Sequence, residues 1–280
     1  MPNRSGTIKS MKLYQHVERV ERELHAHGIG VNDPLEVATL ETLDQLHYHG
    51  RSAVLEAIAQ LDLRPESRVL DIGSGLGGPA RVIASEVGCQ ITAVELQDDL
   101  NRLARSLTRR CGLDDRIEHR RADFLTASLP ASEFDALVSW LTFLHIPQRE
   151  TLLSRCLRRL RPGGSILVED FHARRELTEE ERELLAHEVY CERLDSLGDY
   201  RALIEEAGFE TIDCRDMTES WTDFVQSRLA AFLEDRERFE RVHSEEAFVA
   251  LEAFYRVMDR LFSSGALGGL RWTAQRPDSH

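Results

Sequence analysis

Val69-Leu70-Asp71-Ile72-Gly73-Ser74-Gly75-Leu76-Gly77-Gly78-Pro79 is the stretch that decides the fold of this chain. An apolar run closes on a carboxylate and passes directly into a glycine-rich turn. That is the pattern of a buried strand whose C-terminal end opens onto a ligand, with glycines letting the backbone come close to it. Pro79 stands where the first turn of a helix tolerates a residue without an N–H, and Ala80-Arg81-Val82-Ile83-Ala84 continues as that helix. A strand–turn–helix unit of this kind points to a nucleotide-like cofactor.

Two cofactor classes fit the turn. Gly73, Gly75 and Gly78 satisfy the dinucleotide pattern GxGxxG, and Glu95 closes the next strand-like run, Gln90 to Glu95. A carboxylate about 20 residues on is what recognition of an NAD ribose requires. Asp71 argues the other way, because a carboxylate at the strand end repels a pyrophosphate held at the helix N-terminus. A third acid, Asp123 in Arg121-Ala122-Asp123-Phe124, ends the run Ile117 to Arg121. Acids closing three successive strands suit S-adenosylmethionine, which offers a ribose diol, an adenine amine, a sulfonium and an α-amino group but no phosphate.

Over residues 40–275 the chain resembles the class I S-adenosylmethionine-dependent methyltransferases. Residues 69–78 resemble the first motif of that family and Ala93-Val94-Glu95-Leu96 the second. Ala122-Asp123-Phe124 resembles the adenine-binding segment, Phe134-Asp135-Ala136-Leu137-Val138-Ser139-Trp140 the fourth strand, and Leu160-Arg161-Pro162-Gly163-Gly164-Ser165 the turn before the fifth. The resemblance implies an α/β fold, a doubly wound, mostly parallel seven-stranded Rossmann-like sheet with helical cap insertions. It implies S-adenosylmethionine as cofactor, with Asp71, Gly73, Ser74, Gly75 and Gly77 at its methionine end. Glu95 and Leu96 would then meet the ribose, and Asp123 and Phe124 the adenine. Trp140 would line the methionine moiety or the acceptor pocket.

Within the class, residues 73–81 resemble small-molecule N-methyltransferases acting on glycine, sarcosine, dimethylglycine or phosphoethanolamine. Asp44-Gln45-Leu46-His47-Tyr48-His49-Gly50 resembles the segment these enzymes fold over the methionine end, which makes His47 a cofactor contact. His145, in Phe143-Leu144-His145-Ile146-Pro147, falls where the phosphoethanolamine enzymes keep a catalytic histidine. An imidazole with an ordinary pKa near ~6.5 accepts a proton at neutral pH, and its apolar neighbours would desolvate it. Arg271 falls near a basic residue those enzymes use on phosphate, and Phe171 replaces a tyrosine just after the fifth strand. His145, Phe171 and Arg271 are the candidate acceptor contacts, with Tyr14, Tyr190 and Tyr200 behind them. The departures from the phosphate pattern weigh against phosphoethanolamine. The expected reaction is N-methylation of a small amine. The alternatives are a C- or O-methyltransferase of an isoprenoid, sterol, quinol or polyketide-type acceptor, an NAD-dependent oxidoreductase, and a non-catalytic cofactor-binding module.

Composition bounds the partners. The net charge of -14 over 280 residues offers no track for nucleic acid and none for an anionic membrane. No apolar run reaches the ~20 residues of a membrane span, and Met1 to Ser10 is polar, expected to be mobile, and has no signal-peptide core. Five scattered cysteines without CxxC spacing read as reduced thiols, hence a cytoplasmic protein; a monomer or homodimer is expected. His47 and His49 alternate as in some metal sites but have no third ligand, so no metal is expected.

Three regions are expected: a helical lead-in and cap (1–50), the cofactor-binding core (51–175), and the rest of the core with helical cap insertions (176–280). Periodicity predicts helices over Met11–Leu24, Leu35–Leu46, Ser52–Leu61, Leu152–Leu160, Leu177–Arg193 and Leu197–Glu206, then two long helices within Trp221–Phe262. Strands are predicted over Arg68–Ile72, Ile91–Glu95, Ile117–Arg121, Ala136–Trp140, Ile166–Glu169, Phe209–Arg215 and Leu270–Gln275. Arg155, Arg158 and Arg159 read as a solvated helix face, and the aromatic stripe of the last helices as packing.

Overall fold

The computed structural model describes Met11 and residues 17–278. Seven strands form one sheet in the order β3-β2-β1-β4-β5-β7-β6. They are β1 (Arg68–Ile72), β2 (Gln90–Glu95), β3 (Ile117–Arg121), β4 (Phe134–Trp140), β5 (Leu160–Ala173), β6 (Glu210–Asp216) and β7 (Leu267–Gln275). β7 pairs antiparallel with both β5 and β6, and the rest of the sheet is parallel. Alternation along β1 shows how the layers form. Val69 packs into a core with α3 (Gly50–Gln60) and α4 (Gly78–Val87), while Leu70 and Ile72 face the opposite core under α6 (Arg149–Arg159) and α8 (Leu197–Glu206). Chain order reverses between β1 and β4, and in such sheets the crevice for a ligand lies at the carboxyl ends of those two strands. Asp71 and Trp140 both end there.

Two helical groups cover that edge. One is α1 (Arg19–Ala26), α2 (Val37–Leu40) and the turns after it; the other is α9 (Thr218–Glu234), α10 (Arg236–Val242) and α11 (Glu245–Ser263), inserted between β6 and β7. Helix α5 (Asp98–Arg110) flanks β2 and β3. No helix among the described residues is long and apolar enough to cross a membrane.

The element boundaries depart from the sequence reading in four places. The helix expected over Leu35–Leu46 ends at Leu40, and residues 41–49 form turns instead. Their course brings the Asp44 carboxylate to the buried Arg81 guanidinium at 2.7 Å, a contact a continuous helix would have to forgo. β5 runs to 14 residues because β7 pairs with it from Ser165 to Ala173. The segment after β5 is helical only over α7 (Glu179–Leu184), then widens into a π-helical turn, Leu185–Val189, and stops at Tyr190 in the left-handed region (φ 57°). The last helical region holds three helices, broken near Asp235 and at Ser244, whose side chain accepts the Ala247 N–H. In the first predicted helix, Leu13 and Tyr14 lie outside the described residues, as do Met1 to Ser10.

Candidate active site

A cavity of about 160 Å³ occupies the crevice at the ends of β1, β2 and β4. His47, Asp71, Gly73, Ser74, Gly75, Glu95, Leu96, Asp123, Phe124, Trp140 and His145 all line it, although they come from five segments of the chain. Gly73 carries φ +74°, and a Cβ there would lie 2.1 Å from Thr142 Oγ1, so the crossing of the two loops needs a bare α-carbon. Gly77 is not in the cavity wall. It turns the chain into α4 at φ +76°, with His119 Cε1 only 2.8 Å from where its Cβ would be.

Apart from Asp44, which is paired with Arg81, the acids of this cavity lack basic partners among the described residues. Glu95 is buried, and its two oxygens accept the Gly75 N–H (2.9 Å) and the Gln97 N–H (2.8 Å). Each oxygen keeps a lone pair for a hydroxyl. Asp71 is buried with Oδ2 unpaired, and burial together with repulsion from Glu95 pushes its carboxyl up to about 7. Ser74 Oγ, Gln97 Oε1 and Trp140 Nε1 are also buried without hydrogen-bond partners among the described residues. Unpaired polar atoms gathered in one cavity are the mark of a site completed by a ligand. This donor set, with an unpaired carboxylate at the glycine turn, fits a ligand with a cationic end and a diol, and it repels a pyrophosphate. Asp123 is exposed at the far rim and accepts the Leu125 N–H at 2.8 Å.

His47 lies tilted beside Trp140 at 5.4 Å between ring centroids and donates through Nε2 to the Gly50 carbonyl (3.1 Å). Burial holds its imidazole down to about 4. Its segment is fixed by Arg81, a fully buried arginine inside α4 that also donates to Leu76 O (2.6 Å) and Thr108 Oγ1 (3.0 Å).

His145 sits on a short helical turn, Phe143–His145, at the other end of the cavity. Its Nδ1 faces the Tyr190 carbonyl at 3.1 Å. A carbonyl only accepts, so Nδ1 carries the proton and Nε2 is the acceptor nitrogen of the neutral ring. Burial pulls this imidazole down to about 4 as well. The turn beneath it hangs on Arg149, fully buried, which donates to Phe143 O and to Ile146 O (3.0 Å) and lies beside Asp170 and Asp195. Asp170 accepts the Leu144 N–H (3.2 Å) and the Tyr200 hydroxyl (2.9 Å). Leu141 (φ 51°) and Tyr190 (φ 57°) both hold left-handed backbone next to His145, strain that the surrounding packing must sustain.

Several expected contacts lie elsewhere. Arg271 is buried in β7 and bound to Glu169 and Glu56, so its charge is spent inside the sheet and it lines neither cavity near His145. Phe171 stands one layer back, in the wall of a second cavity of about 30 Å³ on the far side of His145. Tyr200 is buried beneath Arg149, and Tyr190 contributes its carbonyl. Arg155 and Arg159 do not form a solvated face. They donate to Ala127 O (2.6 Å) and Leu129 O, tying the loop after Asp123 to α6, and Arg155 lies 5.6 Å from the Phe124 ring centroid. Most of the aromatic stripe does pack, as in the Phe232–Phe248 stack at 4.6 Å.

Comparison with known proteins agrees with this geometry. The methyltransferase domain family matches residues 69–164. Sarcosine/dimethylglycine N-methyltransferase of Halorhodospira halochloris is 30% identical over 210 residues, covering 75% of this chain and 74% of that protein. Glycine/sarcosine/dimethylglycine N-methyltransferase of Actinopolyspora halophila is 28% identical over 234 residues, 83% of this chain but only 41% of that longer protein. Phosphoethanolamine N-methyltransferase 2 of Haemonchus contortus, solved with phosphomonomethylethanolamine and S-adenosylhomocysteine, superposes with a TM-score of 0.78 at 24% identity, over 86% of this chain and 57% of that one. The cavity and the similarity together define a Rossmann-like methyltransferase. The chain belongs to the S-adenosylmethionine-dependent methyltransferase family, and the dinucleotide reading falls away.

Proposed function

We propose that the chain transfers a methyl group from S-adenosylmethionine to the nitrogen of a small amine of the glycine, sarcosine or dimethylglycine kind. The observation carrying this reading is the position of His145, a neutral imidazole shared between the cofactor cavity and the smaller cavity behind it. Bound S-adenosylmethionine supplies a methyl group already activated on a sulfonium. The chain then has to align, dry and deprotonate. Glu95 would hold the ribose diol, and Asp123 with Phe124 the adenine edge and face. Asp71 would take the α-ammonium, with the Ser74 hydroxyl and Trp140 N–H on the neighbouring polar atoms. Nε2 of His145, unprotonated at neutral pH, would accept the N–H of the acceptor and select its free amine, because only that form has a lone pair to attack with.

At ~10–15 Å³ per water-sized group, the 30 Å³ beyond His145 holds about two such groups, so even a glycine-sized acceptor needs the cap to yield, and a sterol or polyketide needs a far larger opening. The names of the curated relatives point the same way. Incubation with S-adenosylmethionine and a panel of glycine, sarcosine, dimethylglycine, phosphoethanolamine and isoprenoid quinols, read as S-adenosylhomocysteine formed, tests the proposal. Turnover of the amino acids is expected; turnover of the quinols alone would overturn it.

A further inference from the structure

The acceptor side carries one charge that nothing above employs. Arg228 leaves α9 and lines the small cavity together with His145. Its guanidinium lies 4.9 Å from the ring centroid of Tyr48, 5.1 Å from that of Phe224 and 5.0 Å from that of Tyr255. Among the described residues its Nε is buried without an acceptor and no carboxylate pairs with it. The fully buried arginines are paired: Arg81 has Asp44, Arg149 has Asp170 and Asp195, and Arg271 has Glu169 and Glu56. A guanidinium cannot shed its proton, and stacking on rings returns only part of the hydration it gives up. A half-buried arginine without an acid is therefore set up to receive an anion.

The three rings have a second implication. Alone, Tyr48, Phe224 and Tyr255 would form an aromatic box of the kind that holds an ammonium. Arg228 already fills it. The amine end of an acceptor has no place there, whereas the anionic end does.

We propose that Arg228 anchors a carboxylate on the methyl acceptor, so that the amine at the other end of a short molecule is held toward His145. This rests on the N-methyltransferase reading and adds the acceptor's charge and the residue that selects it. A carboxylate fits better than a phosphate because Arg228 is the one cation lining the cavity among the described residues. His145 is neutral, and Arg271 is taken by its two acids. A phosphomonoester dianion would leave one charge uncompensated against Leu141, Leu144 and Phe254. Burial keeps the Tyr48 phenol protonated, at about 12, as a second donor beside the guanidinium.

The test compares sarcosine with its primary amide, which keeps the amine and the length but loses the charge, in wild type, Arg228→Met and Arg228→Lys. Wild type should favour the acid by about 100-fold in kcat/KM. Arg228→Met should lose about 100-fold on the acid, mostly in KM, and use acid and amide alike, with Arg228→Lys recovering part. Affinity for S-adenosylhomocysteine, measured by calorimetry, should stay within about twofold, which verifies the fold of each variant. Equal use of acid and amide by wild type, or an unchanged KM for sarcosine in Arg228→Met, overturns the assignment. So does a higher, Arg228-dependent kcat/KM for phosphoethanolamine. If no amine is methylated, titrating dimethylglycine into the S-adenosylhomocysteine complex separates the two ideas. Arg228-dependent binding keeps the anchor and sinks the transfer reading, and absence of binding sinks the anchor.

Discussion

Asp71 should couple cofactor binding to the release of a proton. Its carboxyl stands at about 7 in the free protein because it is buried beside Glu95, and its Oδ2 has no partner. An ammonium delivered against that oxygen favours the ionised form and draws the pKa back down. From a starting value of about 7, binding expels about 0.9 proton at pH 6, about 0.5 at pH 7 and about 0.1 at pH 8. Affinity then rises about tenfold between pH 6 and pH 8, about fivefold of it below pH 7. His47 and His145 stay neutral across this window because burial holds both to about 4. Calorimetric titration with S-adenosylhomocysteine, in two buffers of different ionisation enthalpy at pH 6 and pH 8, counts the protons directly. Asp71→Asn should bind without release and with pH-independent affinity. A wild-type protein that releases nothing at pH 6, or an Asp71→Asn variant that releases as much, would refute the reasoning. The same shift acts on the ligand-free fold. Between about pH 4 and pH 7 the folded protein keeps this proton while the unfolded chain gives it up, so stability falls as pH rises, by about 4 kcal/mol over the window. Urea unfolding of the free protein reads that decline, and saturating ligand should remove most of it.

His145→Asn should leave S-adenosylhomocysteine affinity intact and slow the single-turnover rate by about 100- to 1000-fold. The wild-type rate should show no imidazole limb between pH 5.5 and 8, since a ring held to about 4 is already a base there; an unchanged single-turnover rate removes the residue from the mechanism. Arg81→Met strands the buried Asp44 carboxylate and should cost about 3–5 kcal/mol in urea unfolding. Adding Asp44→Asn should restore part of that loss, and strictly additive losses would show that the pair does not couple. Gly73→Ala forces a Cβ into Thr142 at φ +74° and should weaken S-adenosylhomocysteine binding by about tenfold or more, with Thr142→Ala in the same chain recovering some of it.

The donor half was legible because its signals are local. A strand, a glycine turn and a helix start are consecutive in sequence, and Asp71, Glu95 and Asp123 each end or follow a β-rich run, so spacing alone brings them to one sheet edge. The acceptor half depends on contacts between distant segments. Arg81 reads as one polar residue in a helix and gives no sign that it will be buried on Asp44, 37 positions earlier. The break at Leu40 accompanies that ion pair, and periodicity cannot see it. Arg271 is an acceptor contact only by the resemblance to phosphoethanolamine enzymes, whereas here Glu169 sits directly across the β5–β7 ladder and claims its charge. Arg228 gave no signal in an amphipathic helix rich in aromatic and charged residues. Its meaning depends on which acids fail to reach it.

That failure is a physical criterion for the site as a whole. Burying a charge is costly, and this fold compensates the buried charges that hold it together: Arg81 on Asp44, Arg149 on Asp170 and Asp195, Arg271 on Glu169. The charges that stay uncompensated lie around the two cavities that meet at His145. Among the described residues, Asp71 and Glu95 face the donor side without a cation, and Arg228 faces the acceptor side without an acid. Unpaired charges of opposite sign on either side of one neutral imidazole have no use in stabilising the fold, because each would be better paired or replaced by an apolar residue. They are accounted for if the site closes on two ligands at once, one presenting a cation to Asp71 and the other an anion to Arg228, with the reacting atoms between them. On that account each ligand lowers the cost that the other half of the site imposes, so acceptor and donor should bind more tightly together than apart.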